Sequence, residues 1–75
     1  MYYYEKRIQM KIIINGEIKE VNKGTTLDEL LVKLNLTGKV MAAAVNMDIV
    51  KQDNWKDYKL KDSDKLELLD FVGGG

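Results

Sequence analysis

The feature that most constrains the fold is one short segment with a helical pattern. Thr26 followed three residues later by Glu29 forms a capping box, which is typical of a helix N-terminus. The next apolar residues are spaced i, i+3, i+4 and i+7 and make one stripe: Leu27, Leu30, Leu31 and Leu34. We predict an amphipathic helix over about residues 26–36, with this stripe largely buried and with Gly38 as the left-handed residue past its end.

The apolar runs around this helix are short and read as β-strands. Asn15-Gly16, the strongest short hairpin signal, joins the first two runs. The predicted strands are Ile12–Ile14, Glu17–Val21, Val40–Val45, a short one at Ile49-Val50, and Lys65–Val72. Because one helix cannot cover both faces of a sheet, we predict an α+β domain in which a mixed sheet of four to five strands carries the helix across one face.

Composition narrows the possible functions. The chain has no cysteine and no histidine, which excludes thiolate and imidazole zinc sites, Cys or Ser–His nucleophiles and histidine bases. Twelve basic residues balance twelve acidic ones, so no bulk charge favours nucleic acid or an anionic membrane. The N-terminus lacks the apolar core of a signal peptide, and no apolar run approaches the length of a membrane span. We therefore expect a cytoplasmic protein that is not an enzyme by itself.

Two further groups of residues allow a structural and a functional interpretation. Trp55 and Tyr58 could contact a partner, but aromatic residues at helical spacing in a thin domain more often cover the core. Asp62 and Asp64 could suggest metal ligands, but two acids in a lysine-flanked turn are more often solvated, since Ca²⁺ takes six or more oxygens. We therefore expect core lids, a solvated turn and no metal site.

Several short segments between Met10 and Gly75 form a pattern when they are taken together. They are Ile13-Ile14-Asn15-Gly16, Thr26-Leu27-x-Glu29-Leu30-Leu31, Val45-Asn46-x-x-Ile49-Val50, Trp55, Asp62-Ser63-Asp64, and Leu66 to Phe71 running into Gly74-Gly75. With these segments the sequence resembles the ubiquitin-like sulfur carriers, and within them most closely the ThiS family of thiamine biosynthesis. The order, the spacing and the Gly-Gly ending together make the resemblance specific.

This resemblance implies a fold and a chemistry. The fold is the ubiquitin-like β-grasp, in which the last strand lies parallel to the first. The chemistry is adenylation of the Gly75 carboxylate with ATP by a ubiquitin-activating-like adenylyltransferase. A cysteine desulfurase or another persulfide donor then supplies sulfur for a thiocarboxylate, which thiazole synthase receives. The carrier itself would bind no cofactor.

The residues before Gly75 suit that chemistry. Gly73 and Gly74 lack a Cβ and could thread a narrow active-site cleft, and Leu69 and Phe71 are candidates for the docking surface. We divide the chain into an N-terminal extension of unassigned role (1–9), a β-grasp domain (10–72) and a flexible tail (73–75).

Alternatives remain open from the residues alone. The small subunit of molybdopterin synthase shares the fold and the ending, but such relatives often carry Pro-Pro before the tail, and this chain has no proline. A ubiquitin-like protein modifier and a β-grasp binding module are further alternatives, and the glycines could also be a frayed terminus without function.

Overall fold

The order of strands in the sheet places the last strand at its centre. A computed structural model describes residues 9–70, with the side chain of Asp70 excepted, and residues 1–8 and 71–75 lie outside the described part. The elements are β1 (Gln9–Ile14), β2 (Glu17–Asn22), α1 (Leu27–Lys33), β3 (Val40–Val45), β4 (Asp48–Val50), a 3₁₀ turn (Gln52–Asn54) and β5 (Lys65–Asp70). The sheet order is β2-β1-β5-β3-β4, with β5 parallel to β1 and the other pairs antiparallel.

This architecture confirms the predicted fold class: a mixed five-stranded sheet with one helix. β1 begins at Gln9, one residue before the predicted domain boundary, and the remainder of the predicted N-terminal extension lies outside the described residues. No helix within residues 9–70 is long and apolar enough to cross a membrane.

The first hairpin follows from its two turn residues. Asn15 and Gly16 have φ angles of 48° and 89°, as a two-residue type I′ turn requires. Asparagine and glycine are the residues that enter this left-handed region at least cost. The turn sets the register in which Ile14 faces Glu17 and Ile13 faces Ile18.

The capping box and the leucine stripe place α1 against the sheet. The Thr26 hydroxyl accepts from the Glu29 amide at 3.1 Å, and the Glu29 carboxylate accepts from the Thr26 amide at 3.0 Å. Leu27, Leu30 and Leu31 are almost fully buried, in one core with Ile12, Val45 and Leu66. The buried face of the helix is therefore the predicted one.

The predicted C-terminal end of the helix was wrong. The helix ends at Lys33, and Leu34 is the capping residue and only half-buried. Asn35, with φ 61°, and not Gly38, is the left-handed residue after the cap. The amides of Asn35 and Leu36 return to the Val32 and Leu31 carbonyls at 3.0 and 2.8 Å, which makes a Schellman motif. Gly38, with φ 78°, belongs to the following turn instead.

The aromatic pair covers the core, as predicted for Trp55 and partly for Tyr58. Trp55 is buried, and its indole N–H donates to the Val50 carbonyl at 2.8 Å. Tyr58 is half-buried against the core, and its carbonyl accepts from the Leu27 amide at 2.8 Å. The aromatic segment thus also satisfies an amide in the first turn of the helix.

The prediction of a solvated acidic turn holds for Asp62 and is wrong for Asp64. Asp62 is exposed, whereas Asp64 is only 7% exposed. The two carboxylate oxygens of Asp64 accept from the Asn46 side-chain amide at 2.9 Å and from the Lys61 amide at 2.7 Å. A buried carboxylate requires such partners, and they come from a hairpin turn 18 residues away and from the approach to β5.

Candidate functional site

The candidate site is the end of β5 that leads toward the glycine tail. Lys65 and Leu66 pair with Ile13 and Ile14, the last residues of β1, so the rest of β5 extends beyond β1. On its other edge β5 remains paired with β3 as far as the Val40–Asp70 pair. The central strand β5 therefore runs past the turn of the first hairpin, and the glycine residues follow it in sequence. The predicted reacting residue Gly75, the threading glycines and Phe71 lie outside the described residues.

The Asn15 side chain supports this end of β5. Its Oδ1 accepts from the Leu68 amide at 2.9 Å, and its Nδ2 lies 3.5 Å from the Leu68 carbonyl. The main-chain amide of Asn15 donates to the Leu66 carbonyl at 2.9 Å. A turn residue thus continues the pairing of β5 beyond the last residue of β1.

A second turn asparagine holds the beginning of β5. Asn46 follows β3, and its amide donates to the Lys65 carbonyl at 2.7 Å while its Oδ1 accepts from the Lys65 amide at 2.9 Å. Asn46 also has a positive φ, 52°. The sequence predicted both asparagines as turn residues but not their bonds to β5, because nothing local to either turn identifies a partner so distant in sequence.

The sheet face opposite α1 carries an apolar patch that includes Leu69, near the C-terminal end of β5. Leu69 pairs with Ala42, and Ala44 pairs with Ile49, across β5, β3 and β4. These four residues, which we call the outer-face patch, border a shallow depression of about 260 Å³. Leu69 is 55% exposed and Ile49 70% exposed. Leu69 is thus accessible where a docking contact was predicted, and its role remains a prediction.

A second depression, of about 310 Å³, lies between the start of α1, the loop after it and the 3₁₀ turn. Its polar lining includes Asp28, Asp53 and Lys56. Among the described residues, no three histidine, cysteine or acidic side chains come together to bind a metal ion. Every buried side-chain nitrogen or oxygen in that part of the chain has a hydrogen-bond partner. Nothing in this depression therefore points to a ligand.

Comparison with known proteins places the chain in a family. The ThiS family model matches residues 12–75. The sulfur carrier protein ThiS of Escherichia coli is 30% identical over 66 residues, which cover 88% of this chain and all of that protein. Its counterpart from Bacillus subtilis is 32% identical over 63 residues, covering 83% of this chain and 96% of that protein. The chain belongs to the ThiS family.

A solved structure agrees with the fold. The crystal structure of the thiamine biosynthesis protein ThiS from Geobacter metallireducens superposes with a TM-score of 0.74 at 27% identity, covering 88% of this chain and all of that one. This likeness supports the β-grasp description of the sheet and its helix.

The chain is also similar to part of a larger protein. The thiazole synthase of Paramagnetospirillum magneticum is 35% identical over 66 residues, which make up 88% of this chain and 20% of that protein. The chain thus spans about a fifth of the length of this relative.

Proposed function

We propose that this protein carries sulfur for the thiazole ring of thiamine, on a thiocarboxylate formed at Gly75. The observation that carries the proposal is the family match, which runs from β1 through to residue 75 and so includes the glycine tail. The geometry agrees, because the strand that leads to this tail is held by hydrogen bonds on both edges.

The chemistry explains why the carrier needs partners. A carboxylate resists nucleophilic attack, so its oxygen first attacks the α-phosphorus of ATP, which releases pyrophosphate and leaves an acyl adenylate. A persulfide sulfur then attacks the acyl carbon and AMP leaves. A thiol cleaves the remaining sulfur–sulfur bond and is itself oxidised to a disulfide, which leaves the thiocarboxylate. This chain has no cysteine, so the persulfide and the thiol come from partners, and the carrier acts as a co-substrate.

The proposed partners follow from these steps. The adenylation step requires an adenylyltransferase, which we propose to be of the ubiquitin-activating type. The persulfide step requires a sulfur donor, which we propose to be a cysteine desulfurase or a similar enzyme. Thiazole synthase is the proposed acceptor, because a stretch similar to this chain forms a fifth of the length of the thiazole synthases of Paramagnetospirillum magneticum and Magnetococcus marinus. Because this proposed chemistry consumes ATP, the proposal includes a cytoplasmic location for the carrier.

The outer-face patch is the proposed docking surface for these partners. Leu69 and Ile49 expose apolar area on the sheet face opposite α1, and burial of such area supplies about 25 cal/mol per Å². Ordering a glycine tail costs about 1–2 kcal/mol per residue. Contacts made by the folded domain can offset this cost, so docking and threading are expected to occur together.

Reconstitution with intact-mass analysis tests the function. With ATP, the adenylyltransferase and a persulfide donor, the protein should gain the mass of one oxygen-to-sulfur exchange at Gly75, and thiazole synthase with its other substrates should return it to the original mass. A variant lacking Gly75 is the matched control. It should fold normally and stay unmodified, because its carbonyl falls one residue, about 3.5 Å, short of the nucleotide.

The outcomes distinguish the alternatives. No change of mass with an active partner set would refute the carrier function. A covalent conjugate to a lysine of another protein would indicate a modifier. Transfer of sulfur from the carrier to the large subunit of molybdopterin synthase, and not to thiazole synthase, would indicate the molybdopterin branch.

A further inference from the structure

We infer that Asn15 is a positioning residue for the C-terminal tail: its side chain fixes β5 at Leu68 and so sets the direction in which the following residues leave the sheet. This role rests on the proposed function, because it names the residue that presents the reacting end to the partner.

The backbone of β1 stops too early to do this itself. The last main-chain hydrogen bond on this side of β5 is donated by the amide of Asn15, the residue after β1, to the Leu66 carbonyl at 2.9 Å. The next amide of β5 on that edge belongs to Leu68, and it donates to Asn15 Oδ1 at 2.9 Å. The carboxamide of Asn15 has the same acceptor and donor as a peptide group. It therefore adds one hydrogen-bonded pair to the parallel ladder at a point where the backbone has already entered the turn to β2.

The opposite edge of β5 is regular as far as Leu69 and becomes irregular just beyond it. β3 pairs Ala43 with Leu68 and Ala42 with Leu69, and then its register shifts between Ala42 and Val40. A β-bulge of this kind disrupts the ladder locally. On the β1 side, Asn15 therefore provides the last hydrogen-bonded anchor of β5 within the part of the chain that the structure describes.

Loss of this anchor has a specific consequence for docking. Without this bond the end of β5 is held only by β3, across the shifted register, and the freedom gained there has to be removed on docking. Fixing one residue corresponds to a factor of about 5–30 in an equilibrium constant. The activated carboxylate is seven residues further along the chain and is handled by the partner. We therefore expect the KM for the carrier to rise by about this factor with kcat nearly unchanged, the signature of lost uniform binding.

The matched variants are Asn15→Gly and Asn46→Gly. Both asparagines have positive φ, which glycine tolerates, so each turn keeps its backbone. Both substitutions remove a side-chain bond to a β5 amide, that of Leu68 in one case and that of Lys65 in the other. Only the first of these amides lies at the tail end of the strand. Asn46→Gly also removes a donor to the buried Asp64 carboxylate, so it controls for general destabilisation as well.

Two measurements test the role. In amide hydrogen exchange, Asn15→Gly should speed exchange at Leu68 by about 10-fold and leave Lys65 unchanged, and Asn46→Gly should do the reverse. In ATP–pyrophosphate exchange with the adenylyltransferase, Asn15→Gly should raise the KM for the carrier by about 5- to 30-fold, and Asn46→Gly by less than about twofold. Asn15→Asp keeps an acceptor for the Leu68 amide, so its KM should stay close to that of the unsubstituted protein.

Unchanged exchange at Leu68 in Asn15→Gly would overturn the assignment, as would equal KM changes in the two glycine variants. If the unsubstituted protein supports no pyrophosphate exchange while the Leu68 amide responds as expected, the proposed function fails and the positioning of the strand end by Asn15 stands.

Discussion

Replacing Asp64 by asparagine tests whether a buried carboxylate organises the approach to β5. Asp64 is 7% exposed, and its two oxygens accept from two different donors, the Asn46 side chain at 2.9 Å and the Lys61 amide at 2.7 Å. An asparagine has one acceptor oxygen and turns its NH₂ group toward the second donor. One charge-assisted hydrogen bond is therefore lost in a site with little access to water.

The magnitude follows from that single bond. Hydrogen bonds to charged groups contribute about 1.5–3 kcal/mol, so Asp64→Asn should lower the free energy of unfolding by about this amount. A chain of this size has a total stability of roughly 4–11 kcal/mol. With about 4–8 °C per kcal/mol for a small domain, the melting temperature should fall by about 6–24 °C.

Asp62 provides the matched control two residues away. Its side chain is exposed and accepts at 2.8 Å from the Lys11 amide through one oxygen, a bond that an asparagine can keep. Asp62→Asn should therefore change the stability by less than about 0.5 kcal/mol. The assay is urea denaturation followed by circular dichroism, with equal m-values confirming a common unfolded state. If both variants unfold at the same urea concentration, Asp64 has no special role in stability.

Three further predictions concern the core, a strained turn and the docking surface. Leu30→Ala, at a position 1% exposed, should lower the free energy of unfolding in urea by about 2–5 kcal/mol. Val32→Ala, at a position 57% exposed on the same helix, should lower it by less than about 0.5 kcal/mol. Similar losses in the two variants would mean that α1 buries another face. Met47 has φ 75° and is 88% exposed, so Met47→Gly should relieve strain and raise the stability by about 1 kcal/mol, and a lower melting temperature would contradict this. Leu69→Ala should leave the melting temperature nearly unchanged but raise the KM of adenylation, and an unchanged KM would remove Leu69 from the docking surface.

The sequence was informative wherever the structure depends on neighbouring residues. The capping box at Thr26 and Glu29 and the turn at Asn15-Gly16 each involve groups within three residues of one another. Such signals act locally, so they predict the helix start and the hairpin correctly. The buried stripe was also predictable up to Leu31, because periodicity alone fixes which face of a helix is apolar.

The misinterpreted residues depend on distant partners or on a choice between two local solutions. Asp64 is buried because Asn46 and the approach to β5 enclose it. The residues of the acidic turn itself do not predict this burial. At the helix end, both Asn35 and Gly38 have left-handed backbones, and glycine is the usual choice after a cap. The structure uses Asn35 instead. Likewise, the bond from Asn15 to Leu68 joins residues 53 positions apart, which a search for local patterns does not find.

The place of β5 in the sheet also affects how the domain is made. In the order β2-β1-β5-β3-β4, the two hairpins share no sheet hydrogen bonds within the described residues except through β5. A nascent chain that ends before residue 65 therefore lacks the strand that pairs with both hairpins. Pairing that waits for the last segment of the chain is non-local and slow. The sheet thus becomes continuous only when β5, the strand that precedes the glycine residues, is in place.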